Sequence, residues 1–195
     1  MKYYQILVHP KFKNKHQKRA DFKKFIINNE ELNLSNILLK FPDFPKNSKE
    51  IEQVILKIND AAKNNSSPYP DFISVLGPFF ALNQKAISFL KKNHIPHYIF
   101  NTFIANDDYK YFFVCFEDVL KFDINKSQIE LKGNKLITKG KSYFDSPLIV
   151  KEYGNFSGMG CIDFFPNILI CNEMFKEKLE QEKLTGFYFK EIQAT

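Results

Sequence analysis

The stretch FEDVLKFDINKSQIEL, Phe116 to Leu131, gathers carboxylates, amides and a hydroxyl that could together do chemistry. Glu117, Asp118 and Asp123 lie close together, followed by Asn125, Ser127 and Glu130. Oxygen ligands at alternate positions, here Asp123, Asn125 and Ser127, are how a calcium loop wraps its ion. Such a loop also needs Gly at its sixth position and Glu at its twelfth, and those positions hold Gln128 and Asn134. The flanks read as strand rather than helix, so the calcium reading fails. Asp118 and Asp123 could work as general acid and base only if they faced each other. On a regular strand they point to opposite faces, roughly 16 Å apart along it. Asp123 reads instead as the end of a strand, accepting turn hydrogen bonds near Lys126 and Ser127. Asp118, lone on an otherwise apolar face, is the residue that stands out.

The other reactive types are scattered. His94 and His97 flank Ile95-Pro96, and the proline keeps the two imidazoles off one continuous helix face. No HExxH pattern exists, and His9 and His16 have no acid or thiol beside them. Cys115, Cys161 and Cys171 are odd in number and widely spaced, without a CxxC pair. They read as buried free thiols of a reducing compartment. GNFSGMG (154–160) lacks the GK[ST] of a phosphate loop. The expectation is a protein without catalytic residues, metal or cofactor.

The 195 residues suffice for one substantial domain or two small ones around a shared core. With 44% hydrophobic and 26% charged residues, a mainly disordered chain is excluded. The net charge of +6 is localised. Residues 1–24 carry eight cations, among them Lys11, Lys13, Lys15, Lys18 and Arg19, against Asp21 alone, a net +7. That segment is a candidate contact surface for an acidic partner or a nucleic-acid backbone, beside the plainer reading of a solvated lysine face. Arg19 is the one arginine, which disfavours base reading and bidentate phosphate recognition. No apolar run approaches bilayer length and no cleavage signal follows the N-terminal MKYYQILVHP, so a cytoplasmic location without a membrane anchor is expected.

These residues need a scaffold. Tyr3–Val8 reads as an opening strand closed by Pro10. Phe22, Phe25 and Ile26 keep a helical i, i+3, i+4 spacing. After the turn-rich FPDFPKNS (41–48), Ile51, Val54, Ile55, Ile58 and Ala62 form one apolar stripe, which predicts an amphipathic helix over 48–63 capped by Asn47 or Ser48. NNSSPYP (64–70) reads as a linker. Beyond it, PFFALNQKAISFLKKNHIPHYIF (78–100) aligns without gaps with NILICNEMFKEKLEQEKLTGFYF (167–189), at a constant offset of 89. Each copy predicts a strand, an Asn cap, a helix (84–93 and 173–182) and a return strand. Between them, apolar even positions predict a strand over 112–122, and Gly133-Asn134 predicts a hairpin joining 128–132 to 135–139.

Three stretches, in order, resemble a bacterial family of polymorphic-toxin immunity proteins, groups eleven and forty-three of the immunity nomenclature. They are PDFISVLGPFFALNQKAISFLKKNHIPHYIF (70–100), YKYFFVCFEDVLKFDINKSQIEL (109–131) and ILICNEMFKEKLEQEKLTGFYFKEI (168–192). Where that family often has a Phe-Arg pair before its last strand, this chain has CIDFFPN. The resemblance implies a non-enzymatic protein that neutralises a cognate toxin by binding it directly. The basic N-terminal segment points to a toxin with an acidic face rather than a nuclease. The alternative function is a nucleic-acid-associated protein using the Lys-rich segment 11–24.

The expected architecture is therefore α+β: a mixed or antiparallel sheet with helices packed on it, containing two similar strand–helix–strand units. Residues 1–65 are expected as a basic segment with an amphipathic helix, and 70–195 as an α+β immunity-like domain. Lys11, Lys13, Lys15, Lys18, Arg19 and Asp118 are the candidate partner-binding residues.

Overall fold

A computed structural model of the chain describes residues 2–8, 18–27, 29–33, 50–60, 69–75, 80–105, 108–122, 129–132, 135–138, 149–151, 156–162 and 165–194. The first half holds β1 (Tyr3–Leu7), β2 (Lys18–Ile27), β3 (Glu30–Leu32), β4 (Gln53–Asp60), β5 (Phe72–Val75), β6 (Phe80–Asn83), helix α1 (Gln84–Lys92), β7 (His97–Phe100) and β8 (Thr102–Ile104). The second holds β9 (Tyr111–Phe116), β10 (Val119–Phe122), β11 (Ile129–Lys132), β12 (Lys135–Thr138), β13 (Ile149–Lys151), β14 (Met159–Ile162), β15 (Phe165–Asn172), helix α2 (Glu173–Gln181) and β16 (Tyr188–Ala194). The protein is α+β, with mixed parallel and antiparallel pairing.

Two large sheets form. One closes as a barrel in the order β1-β15-β14-β10-β13-β16. The other runs β7-β9-β6-β5-β2-β4-β8, with β3 on β2. Its two edges, β7 and β8, are consecutive in the chain and separated only by Asn101, so this sheet also curls until its edges meet. β11 and β12 form the expected hairpin, with Lys132 opposite Lys135.

Strand alternation distributes the apolar side chains. Along β1 and just past it, Tyr4, Ile6 and Val8 face a core that also holds α1 and α2. Val114 and Phe116 of β9 enter the same core, while Tyr111, Phe113 and Cys115 turn to a second one inside the curled sheet. Leu90, Leu179 and Phe175 carry the helices into the first core, and Phe89 meets Phe175 edge-on at 6.4 Å. Each fully buried Leu or Phe contributes about 1.5–3 kcal/mol.

Both helices begin and end alike. Asn83 and Asn172 are N-caps whose side-chain oxygens accept from the amides of Ala86 and Phe175, each at 3.0 Å. At the C-termini, His94 and Lys183 adopt left-handed φ of 53° and 50°. His94 N–H bonds Lys91 and Ile95 N–H bonds Leu90, while Lys183 bonds Glu180 and Leu184 bonds Leu179. These are Schellman closures, with Ile95 and Leu184 folding back onto Leu90 and Leu179.

The helix expected over 48–63 is corrected to strand β4. In it Val54, Leu56 and Ile58 are buried while Gln53, Ile55, Lys57 and Asn59 are half-buried, a period of two rather than 3.6. The helical spacing at Phe22, Phe25 and Ile26 likewise lies in strand β2. β4 is flanked by β2 on one side and β8 on the other, and this pairing satisfies its backbone where a helix would have done so internally. The boundary expected at 64–70 is crossed by the same sheet, since β2 pairs with β5 and β4 with β8. FPDFPKNS lies outside the described residues.

Candidate partner-binding surface and the junction between the helices

The partner-binding residues expected from sequence scatter. Lys11, Lys13 and Lys15 lie outside the described residues. Lys18 and Arg19 open β2, where Arg19 is opposite Asn59 on one neighbour and Ser74 on the other, so this backbone is paired on both sides. Their side chains lie outside the described set. Asp123, Asn125 and Ser127 lie outside it too.

Asp118 sits at the break between β9 and β10, where the chain leaves the curled sheet and enters the barrel. Its carboxylate Oδ2 accepts the Ser157 amide at 2.5 Å, and its carbonyl accepts the Cys161 amide at 2.9 Å. A Cβ on Gly160 would stand 2.3 Å from that carbonyl oxygen, so only glycine permits this approach. The residue that stood out in sequence therefore ties the 156–158 loop to the strand break.

Among the described residues, the densest polar constellation lies elsewhere, around Asp71, which is buried at 7% exposure. Its Oδ1 accepts from Asn83 Nδ2 at 2.9 Å. Its Oδ2 accepts from the Thr185 amide at 2.7 Å and the Thr185 hydroxyl at 2.9 Å. The backbone adds Asp71 N–H to Thr185 Oγ1 and Phe72 N–H to the Thr185 carbonyl, at 3.1 and 3.0 Å. Lys85 Nζ stands 3.9 Å from Oδ2 and donates to the Lys183 carbonyl at 2.9 Å. Lys92 pairs with Glu182 at 2.6 Å, which holds the Glu182 carboxyl below its usual range. The start of α1 is thus bolted to the segment following α2. Through both carboxylate oxygens, Asp71 thus clamps Asn83 to Thr185. In the sequence Asp71 sits in PYPDF with nothing local to mark it, and its partner is 114 positions away.

On the outer face of α2, Lys176 lies 5.3 and 5.5 Å over the rings of Tyr4 and Phe189. Its hydrogen bond to Glu180 raises its pKa. Phe103 and Met174, each 52% exposed, and Tyr109, stacked on Tyr69 at 4.3 Å, are the large apolar groups reaching solvent among the described residues. The three thiols are free and buried. Burial pushes Cys161 and Cys171 up to about 12 and raises Cys115 well above its ordinary value, so none is a nucleophile at neutral pH. Among the described residues no group of His, Cys, Asp and Glu could hold a metal ion, and no helix is long and apolar enough to cross a membrane. No protein-family model and no curated protein matches the chain.

Proposed function

We propose that this chain is an immunity protein that neutralises a cognate bacterial toxin by direct protein–protein binding, acting without catalysis in the cytoplasm. The observation that carries the reading is where the three resembling stretches fall. Residues 70–100 supply β5, β6, α1 and β7, residues 109–131 supply β9, β10 and β11, and residues 168–192 supply most of β15, α2 and most of β16. Apart from β10 and β11, these elements pair with or pack on one another, and together they contribute most of the core around the two helices. The resemblance is thus to a packed unit rather than to isolated fragments. On this reading the two strand–helix–strand units are copies of one motif. The toxin meets the surface outside the shared core, with the basic segment 11–19 and exposed groups such as Phe103 as contacts.

Co-expression with the toxin encoded beside its gene tests the proposal. Growth should be restored in cells carrying both, with the two proteins recovered together. A toxin that kills unabated in the presence of soluble, folded chain refutes it.

A further inference from the structure

We infer that the whole chain is two copies of one module that have exchanged their first strands. This goes beyond the strand–helix–strand resemblance, because it accounts for every strand of both large sheets except β3. The barrel order β1-β15-β14-β10-β13-β16 corresponds position by position to β9-β6-β5-β2-β4 followed by the interrupted strand β8 and β7. The direction of each pairing matches as well. β2 runs parallel to β5 through Arg19–Ser74 and Ala20–Val75, and β10 runs parallel to β14 through Val119–Cys161 and Leu120–Ile162. β4 runs parallel to β8, and β13 parallel to β16. β5 with β6 and β14 with β15 are both antiparallel, with Phe72 opposite Leu82 and Met159 opposite Cys171.

The core repeats the correspondence. Ile6 and Val114, Val8 and Phe116, Phe72 and Met159, Phe80 and Leu169, Leu90 and Leu179, and Ile95 and Leu184 all lie in the same cluster. YYQILV (3–8) matches YFFVCF (111–116) in sequence, at an offset of 108 rather than 89. The connection between first strand and helix unit therefore differs in length between the copies.

Read in chain order, the two complete copies are β1 to β8 and β9 to β16. Yet β1 hydrogen-bonds β15 and β16 of the second copy, and β9 hydrogen-bonds β6 and β7 of the first. Each sheet is closed by a strand from the other copy. This is the geometry of a strand-exchanged dimer joined into one chain, and it makes each half the binding partner of the other. A half alone would leave a slot between two strands, with unpaired backbone on both sides.

The test uses the full chain with a protease site inserted between positions 106 and 107, cleaved after folding. The two pieces should co-elute at the position of the uncut 23.0 kDa chain and separate only in denaturant. Carbodiimide treatment should join Lys2 of one piece to Glu191 of the other, whose charged groups lie 3.7 Å apart in exposed positions. The same Lys2–Glu191 link should be found by mass spectrometry in the uncut protein, so the test stands even if the inserted site prevents folding. The Lys92–Glu182 pair also spans the two halves and serves as the reactivity control. Pieces that part in native buffer, or a chain in which Lys92 links to Glu182 but Lys2 does not link to Glu191, would overturn the exchange.

Discussion

Replacing Asp71 by Ala removes the acceptor for three donors at once. The Asn83 amide is buried and has no water to turn to, so its loss costs about 1–3 kcal/mol. The amide and hydroxyl of Thr185 belong to an exposed residue, and water recovers part of their hydrogen bonding, leaving about 0.5–1 kcal/mol each. The substitution should therefore destabilise the fold by about 3 kcal/mol. With a urea slope of roughly 2–3 kcal/mol/M for a chain of this size, the unfolding midpoint should fall by about 1–1.5 M. Circular dichroism and tyrosine fluorescence should report the same transition. Thr185→Val keeps the amide donor and removes only the hydroxyl, so it should cost less. The double substitution should cost less than the sum of the two singles, since they share a bond. A midpoint lowered by less than about 0.3 M in Asp71→Ala would refute the view that this carboxylate clamps the helices.

Gly158→Ala should lower the melting temperature by at least about 5 °C, because φ is +105° and the new Cβ would lie 2.3 Å from the Phe175 ring; differential scanning calorimetry measures it. The buried thiols should resist a disulfide reagent at pH 7.5 until the protein is unfolded in urea. Their folded pKa values stand above the unfolded ones, so the unfolded chain loses protons first as pH rises. Stability should therefore be level below about pH 9 and fall between about 9 and 12, which denaturation at pH 7 and pH 10 would show. If the Lys-rich segment 11–24 served a nucleic acid, binding to DNA or RNA would be present at low salt and lost steeply on adding salt; the toxin-binding account predicts none at either.

The helices were legible because their ends are written locally. An Asn cap, an apolar i, i+4 pair and a return strand all lie within about twenty residues, and the expected 84–93 and 173–182 differ from the observed ends by one residue each. Strand β4 was not legible. In IEQVILKIND the residues Ile51, Val54, Ile55 and Ile58 satisfy a helical stripe, while Val54, Leu56 and Ile58 satisfy a strand. The choice between them is made by β2 and β8, one distant in sequence on each side. The Asp71–Thr185 clamp was hidden for the same reason, because a carboxylate's partner across 114 residues leaves no local pattern. The first strands proposed to match lie at an offset of 108, so an ungapped comparison at 89 does not reach them.

Mixing the purified chain with the purified toxin domain encoded beside its gene, with binding followed by titration calorimetry, tests neutralisation by direct binding. A saturable complex of defined stoichiometry is expected, with a dissociation constant tighter than about 1 μM, which also abolishes the toxin's activity. No binding heat, together with undiminished toxin activity at excess chain, would contradict it.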